Sequence, residues 1–259
     1  MARHHPGVEE IQLFVVLADV VASDKKDERF INQTEKIFHG ISWINLKTIV
    51  VKGNIGRDLS SAKVGLDEIS NYAGADDAVL VRNRSSIGPF KKNWYGDYLE
   101  LFDFKANIGL VGNTINLKYH PDVDPDRVAP HVQTYMYLSS FRVLDKLREN
   151  FPGIHEVNRL KIICDGEIAI SEKIMDMGYE IVSLFWPTEY FGRKIAINEG
   201  LPQTDIKIIA KGQPFMHRYG VAGFLKYHFQ LVGWLRFIRY TFRTKSRKKV
   251  PVRKLDLFY

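Results

Sequence analysis

Two guanidinium groups and several small polar side chains follow a short apolar stretch in AVLVRNRSSIGPF, residues 78–90. The apolar start predicts a buried strand, and the Gly-Pro pair predicts a turn. In open α/β sheets, ligands bind beyond the carboxyl ends of the strands. Guanidinium groups at such an edge suit phosphate or carboxylate oxygens; the alternative is a solvated loop whose surface ion pairs add little stability. The candidate binding residues are Arg82, Asn83, Arg84 and Ser85.

A second candidate loop, GNIGRD at 53–58, follows the apolar TIVV and precedes a helical pattern. Its glycines allow backbone amides to approach a ligand, and a helix N-terminus favours negative charge. Arg57 would pair with a phosphate or a carboxylate. Asp58 would accept hydrogen bonds from a ribose or a base, unless it only caps the helix.

The stretch CDGEIAISEKIMDMGYE at 164–180 predicts a helix with one apolar face. Asp165 suits the N-cap position, and Gly178 suits the C-terminal stop. Glu167 would then lie in the first turn, where the helix dipole favours an acid that has no further role. An acid held beside a ligand-binding edge is also a proton acceptor, so both interpretations are open.

The polar–apolar alternation of HVQTYMYLSS at 131–140 predicts a half-buried strand. His131 and Gln133 would share one face of that strand. His131 has two possible roles, a structural one and a contact with a substrate. The preceding stretch, 118–130, is rich in Pro and Asp and predicts a loop in position to close over a site.

Strand-like and helix-like stretches alternate along the chain, which predicts an α/β fold with a mostly parallel sheet. The predicted strands are 11–20, 48–51, 78–81, 108–111 and 179–185. The predicted helices are 26–38, 58–72, 139–149 and 166–177.

The composition is that of a globular protein, with 259 residues, 45% of them hydrophobic, and one cysteine, Cys164. A single cysteine excludes an internal disulfide and favours a reducing compartment. No apolar run reaches the roughly 18 residues that a membrane-spanning helix needs. MARHHPGVEE is not followed by a signal-peptide core with a small-residue cleavage site. The sequence therefore predicts a cytoplasmic protein.

The net charge of +7 is unevenly distributed along the chain. Residues 211–259 hold twelve Lys and Arg against one acid, Asp256, whereas the rest of the chain holds 25 Lys and Arg against 29 Asp and Glu. We therefore predict two regions, an α/β domain at 1–210 and a basic segment at 211–259.

Within the basic segment, residues 224–242 have an amphipathic helical pattern. Trp234 lies on its apolar arc, and Arg236, Arg239 and Arg243 lie off it. The apolar arc either packs on the domain or lies in a membrane interface while the bases meet anionic lipid. Membrane contact is favoured because the basic run continues past the helix. Basic tails also attract nucleic acid, but the acidic remainder of the chain shows no recognition motif, so we expect no nucleic-acid partner.

Taken in order, these segments resemble the rhamnan synthesis F family of bacterial glycosyltransferases and its relatives with a GT-A-like, Rossmann-like fold. The family pattern runs N-x-G-x-D, then N-D-S-x-x-G-P after an apolar strand, then a strand with G-x-T/N, then H-x-Q-S, then E-x-x-x-S followed by G-[YF]. The resemblance covers about residues 48–185. The matching residues are Asn54, Gly56, Arg57, Asp58, Asn83, Ser85, Gly88, Pro89, VGNTIN at 111–116, His131, Gln133, Glu167, Ser171, Gly178 and Tyr179.

The resemblance implies an inverting glycosyltransferase. It would move a sugar, rhamnose or another deoxysugar, from a nucleotide-diphosphate donor to a growing, lipid-linked cell-surface polysaccharide, as a peripheral protein on the inner face of the cell membrane. Glu167 would be the general base, with Asp165 as the substitute. The remaining contacts would fall on Asn54, Arg57 and Asp58 for the nucleotide and on His131 and Gln133 for the donor sugar or the acceptor.

One position departs from the family pattern, because Asn83-Arg84-Ser85 stands where Asn-Asp-Ser is expected. Many GT-A enzymes use acids at this strand end to hold a divalent ion against the donor diphosphate. Arg84, with Arg82, would instead neutralise the diphosphate directly, so no metal or other cofactor is expected. The alternative is a non-catalytic module that binds a sugar nucleotide or a glycan and is recruited to the membrane.

Overall fold

A computed structural model describes residues 4–19, 24–103, 106–193, 213–218 and 250–258. The strands in these ranges are β1 (Ile11–Asp19), β2 (Ile44–Gly53), β3 (Ala78–Arg82), β4 (Ser86–Ile87), β5 (Ile108–Gly112), β6 (Ile115–Lys118), β7 (Val128–Val132), β8 (Met136–Ser140), β9 (Glu180–Ser183), β10 (Met216–His217) and β11 (Val252–Lys254). The helices are α1 (Asp24–Phe38), α2 (Arg57–Ile69), α3 (Gly96–Asp103), α4 (Phe141–Arg148), α5 (Arg159–Ile162) and α6 (Ala169–Asp176). A π-helical segment, Ile163–Ile168, joins α5 to α6.

The first sheet has the strand order β1–β2–β11, and all of its pairs are parallel. Parallel neighbours need a crossover connection, and α1 lies between β1 and β2 in the chain. The central strand β2 is rich in β-branched residues, and Ile49, Val50 and Val51 are at most 1% exposed. The loop after β2 therefore follows directly from a buried central strand of this sheet.

The second sheet has the strand order β3–β8–β5–β9 and is mixed. β8 runs antiparallel to both β3 and β5, whereas β5 and β9 are parallel. The two faces of β8 enter different hydrophobic clusters, because Tyr137 packs in one and its neighbours Met136 and Leu138 pack in the other. Such alternation is expected for a strand buried on both faces. The predicted α/β fold with helices flanking the sheets is confirmed, and the second sheet is mixed rather than parallel throughout.

The prediction of one strand over 131–140 is wrong. Residues 128–132 form β7, which pairs antiparallel with β6, and residues 136–140 form β8 of the second sheet. The intervening turn is bonded by the Met136 N–H to the Gln133 carbonyl at 3.5 Å. A turn of this kind preserves the polar–apolar alternation, so the pattern alone does not reveal it. The loop predicted at 118–130 is correspondingly shorter, since its last residues belong to β7.

Two pieces of the predicted basic segment pack into the body of the fold. β10 pairs with β4, and the adjacent Phe215 is fully buried. β11 pairs with β2 in the first sheet. The predicted amphipathic helix, with Trp234, Arg236, Arg239 and Arg243, lies outside the described residues. Among the residues that are described, no helix has the length and apolarity required to cross a membrane.

Candidate functional site

Two of the predicted loops meet through one hydrogen bond. The Asn83 side-chain Nδ2 donates to the Asp58 Oδ2 at 2.6 Å. Asp58 lies in the first turn of α2, directly after the loop that ends β2, and Asn83 follows the last residue of β3. The Asp58 charge acts in turn on Glu167 of the π-helical segment, which also contacts Thr134. These four residues, which we call the acidic cluster, come from distant parts of the sequence.

Glu167 lies in the middle of a continuous helical stretch rather than at its start. The stretch begins at Arg159, and the Oδ1 of the N-cap Asn158 accepts a hydrogen bond from the Leu160 N–H at 2.8 Å. The prediction of Asp165 as the N-cap is therefore wrong, because Asn158 already supplies the cap. The acid instead occupies a π-helical turn, a geometry that is frequent at functional sites.

The Glu167 carboxyl is half-buried and keeps some contact with solvent, although protein atoms surround it. The Thr134 hydroxyl donates to its Oε2 at 3.2 Å. Burial raises the pKa of Glu167 to about 7, with a smaller contribution from the nearby Asp58 charge. Hydrogen bonding to Thr134 lowers the pKa and so opposes this shift. A carboxyl with this pKa accepts and releases a proton near neutral pH, as general acid–base catalysis requires.

Asp165, the second predicted acid, does not join the acidic cluster. It is exposed, and its charge acts on Tyr119, whose pKa is raised to about 12 mainly by a hydrogen bond with Cys164. Residues two apart on a helix do not face each other, which is why Glu167 and Asp165 have different neighbours. Of the two acids, Glu167 is the one that the structure brings to the Asn83–Asp58 pair.

Asn83 organises the turn that presents Arg84. Its side-chain Oδ1 accepts from the Ser85 N–H at 2.8 Å, and its own N–H donates to the Tyr135 carbonyl at 3.1 Å. Arg84 is exposed at this turn and forms no ion pair with any residue that the structure describes. Its permanent charge is therefore accessible to an anionic ligand.

Arg82 is more tightly held than Arg84. Its Nη2 donates to the Ser86 carbonyl at 2.9 Å, and its guanidinium lies 5.5 Å from the centre of the Phe215 ring. The side chain remains solvent-accessible, yet surrounding protein lowers its pKa to about 10, an effect that Tyr98 opposes. Arg82 remains charged at neutral pH.

The loop GNIGRD has the predicted glycine geometry but not the predicted free amides. Gly56 is left-handed, with φ 69°, and Arg57 is also left-handed, with φ 48°. The Gly53 and Gly56 N–H groups already donate to carbonyls of the protein, at 2.9 and 3.0 Å. These two N–H groups are therefore not available to a ligand. The exposed Arg57 and half-buried Asn54 side chains remain as candidate contacts.

Gln133 belongs to a buried polar network that sequence patterns did not reveal. Thr114 donates to the Gln133 Oε1 at 2.7 Å and lies 3.2 Å from the Tyr135 hydroxyl. The Asn113 side chain connects Tyr135 and Tyr98, with both distances 3.0 Å. The sequence had selected the VGNTIN stretch at 111–116 and Gln133, but not the contacts between them. This network places Gln133 on the turn next to Thr134 of the acidic cluster.

His131 does not show the features of a ligand contact. It is 3% exposed, and its Nδ1–H donates to the Ala129 carbonyl at 2.7 Å. Burial lowers the pKa of His131 to about 4, despite the favourable hydrogen bond with Ala129. The ring is therefore neutral at physiological pH. Between the two roles open for His131, this placement favours the structural one.

Residues 213–218 lie next to Arg82 and Tyr135, although the sequence assigned them to the basic segment. The Phe215 ring lies below the Arg82 guanidinium, and the His217 ring packs against Tyr135 with 5.1 Å between ring centres. Burial and the nearby Arg218 lower the pKa of His217. The stretch PFMHR at 214–218 has a strand-like alternation of apolar and polar residues, but the prediction for 211–259 was based on its positive charge.

No protein-family model matches this chain, and no curated protein matches it. Among the described residues, no three His, Cys, Asp or Glu side chains are grouped in a way that would hold a metal ion.

Replacing Glu167 by Gln tests the raised pKa through stability. A folded-state pKa raised above the unfolded value favours folding at low pH, and this stability is lost as the pH rises through about 7. We compare the unfolding free energy of Glu167→Gln with that of wild type at each pH. This difference should be more favourable to the variant at pH 9 than at pH 5, by on the order of 2 kcal/mol. Urea unfolding at both pH values measures this difference, with Glu149→Gln at an exposed position as the control. An equal Glu167→Gln difference at both pH values would show that the carboxyl is unperturbed.

Proposed function

We propose that the chain is an inverting glycosyltransferase that uses a nucleotide-diphosphate sugar. The observation that carries the proposal is Glu167, a half-buried acid in a π-helical turn with a pKa near 7, in the same cluster as the Asn83–Asp58 pair. Acids with only a structural role are usually exposed or paired with a cation. An acid whose pKa is raised to near 7 beside a second carboxylate is instead typical of proton-transfer sites. The ordered resemblance to the rhamnan synthesis F family supplies the reaction.

The reaction is a single displacement at the anomeric carbon. The acceptor hydroxyl transfers its proton to the Glu167 carboxylate, and its oxygen forms the new bond to the anomeric carbon. The bond from that carbon to the diphosphate oxygen breaks on the opposite side, and the diphosphate leaves with the electron pair. Thr134 orients the carboxyl, because its hydroxyl donates to Oε2 and its backbone also hydrogen-bonds the acid.

The leaving diphosphate requires positive charge, which Arg82 and Arg84 supply at the end of β3. The charge that grows on the diphosphate is stabilised by fixed donors already in place. Guanidinium groups match phosphate oxygens in pairs of hydrogen bonds. This strand end itself offers amide, guanidinium and hydroxyl groups, and the nearby Asp58 carboxylate is already bonded to Asn83, whereas Mg²⁺ binds through carboxylates and water. Direct neutralisation by arginine is therefore the chemistry that these residues support.

The remaining contacts follow from the loop geometry. Asn54 and Arg57, at the loop after β2, would contact the nucleotide together with Asp58. Gln133, on the turn beside Thr134, would contact the donor sugar or the acceptor. The acceptor in this proposal is a lipid-linked polysaccharide, and the basic pattern of 219–249 would hold the protein at the anionic inner face of the membrane.

A transfer assay with Glu167→Gln tests the proposal. We expect wild-type protein to transfer sugar from one member of a nucleotide-sugar panel, and Glu167→Gln to lose about 10²–10⁴-fold in kcat because the general base is gone. Donor affinity, measured by calorimetry, should stay within about threefold of wild type because the amide keeps the shape of the acid. Glu149→Gln is the control.

Full turnover by Glu167→Gln would contradict the assignment of the base. Binding of a nucleotide sugar by the wild-type chain without transfer or hydrolysis would instead support the non-catalytic module.

The role of the arginines is tested by chelation together with substitution. We expect EDTA to leave transfer unchanged, and Arg84→Met to lower kcat/KM by about 10–100-fold through loss of a charge-assisted contact to phosphate. Arg142→Met is the matched control, because Arg142 is an exposed arginine that pairs with Asp76 at 2.8 Å. Loss of activity in EDTA that Mg²⁺ restores would overturn metal-independent transfer.

A further inference from the structure

The segment 250–258, which we call the β11 segment, continues past its sheet onto the loop of the acidic cluster. After β11 pairs with β2, the Leu257 carbonyl accepts from the Gly53 N–H at 2.9 Å. The Phe258 carbonyl accepts from the Ile55 N–H at 2.8 Å. A part of the chain that its sequence assigned to the basic tail therefore binds the backbone of the proposed nucleotide loop.

Side chains reinforce this attachment. The Phe258 ring lies 5.8 Å from the His155 ring and 5.3 Å from the Lys52 Nζ. Phe258 adopts a left-handed backbone, with φ 65°, which is uncommon for an aromatic residue. Further along the segment, Arg253 pairs with Glu68 of α2 at 2.6 Å. The β11 segment is thus joined to β2, to the loop and to α2.

Lys52 holds the same loop from within the protein. It is fully buried, and its Nζ donates to the Gly53 carbonyl and the Ser60 Oγ, each at 2.7 Å. Burial lowers the pKa of Lys52 to about 8, although the charge of Asp58 opposes this effect. The ammonium is therefore still charged at neutral pH. Buried lysines are rare unless their donors are satisfied, and here the acceptors are the Gly53 carbonyl of the loop and the Ser60 hydroxyl of α2.

The loop needs support because its backbone is strained immediately before Asp58. Gly56 and Arg57 are both left-handed, and Arg57 has a side chain that disfavours this conformation. Ile154 leaves no room for an alternative side chain, since a Cβ on Gly56 would lie 2.0 Å from the Ile154 carbonyl oxygen. Strained residues persist only where the surroundings over-determine them. Release of the strain would move Asp58 relative to Asn83.

We propose that the β11 segment is a positioning element of the donor site, in which Phe258 and Lys52 hold the Gly53–Arg57 loop so that Asp58 meets Asn83. The inference rests on the proposed function because that function assigns this loop to the nucleotide. The segment contacts the backbone of β2 and of the loop, and side chains of the body, namely Glu35, Thr48, Lys52, Glu68 and His155. The segment therefore supports the loop and does not stand in for a ligand.

Phe258→Ala in the full chain, compared with Leu257→Ala, tests the proposal. Leu257 is 49% exposed, so its truncation keeps the segment's carbonyls and changes only a surface side chain. The probes are UDP, GDP and dTDP, titrated by calorimetry. We expect Phe258→Ala to weaken the Kd of the diphosphate that binds wild type by about tenfold, from loss of one aromatic contact. Leu257→Ala should bind like wild type, and Phe258→Trp should restore the affinity.

Amide hydrogen exchange gives a readout that needs no nucleotide. Phe258→Ala should speed exchange at Gly53 and Ile55, and leave the amides of β5 unchanged. Equal exchange rates at the two loop amides in Phe258→Ala and wild type would overturn the proposal. Tighter diphosphate binding by Phe258→Ala would also overturn it, because the segment would then be a competitor of the ligand. If wild type binds none of the three diphosphates, the proposed function fails, and the exchange rates still decide whether the segment holds the loop.

Discussion

The hydrogen bond between the Asn83 amide and the Asp58 carboxylate, 2.6 Å long, is the interaction on which the candidate site depends. It joins the loop after the first sheet to the strand end of the second. It also fixes where the Asp58 charge lies, and that charge helps to raise the pKa of Glu167. If this bond were lost, the two arginine-bearing loops and Glu167 would no longer share one geometry. The site is therefore a product of how the two sheets meet.

Rigid elements hold each partner of this bond. Asn83 is held through its backbone by the Tyr135 carbonyl, next to the buried polar network of Asn113 and Thr114. Asp58 follows a strained loop that Lys52 and the β11 segment hold from two sides. Charged and polar groups enclosed in this way keep their orientation without help from solvent, which is the condition for electrostatic preorganisation. The same enclosure explains why Glu167 titrates near neutral pH.

Local patterns predicted the elements that have a strong apolar signal in the sequence. The apolar β-branched runs located β1, β3, β5 and β9 to within a few residues, because such side chains fit a pleated and buried surface. The motif residues Asp58, Asn83 and Glu167 were also selected from the sequence, and the structure brings them together. Their mutual contacts were not predictable, since each depends on a sheet-to-sheet arrangement that no short stretch encodes.

The wrong predictions have specific physical causes. Asp165-Gly166-Glu167 has the residue types of a helix N-terminus although it lies inside a helical stretch. Only the capping contact of Asn158 shows where that stretch begins. The basic character of 211–259 did not predict two short strands, β10 and β11, which form by pairing with β4 and β2.

The most direct test of the central claim is an NMR titration of the Glu167 carboxyl in wild type and Asp58→Asn. The account predicts a pKa near 7 in wild type and a lower one in the variant. An ordinary glutamate pKa in both proteins would contradict it.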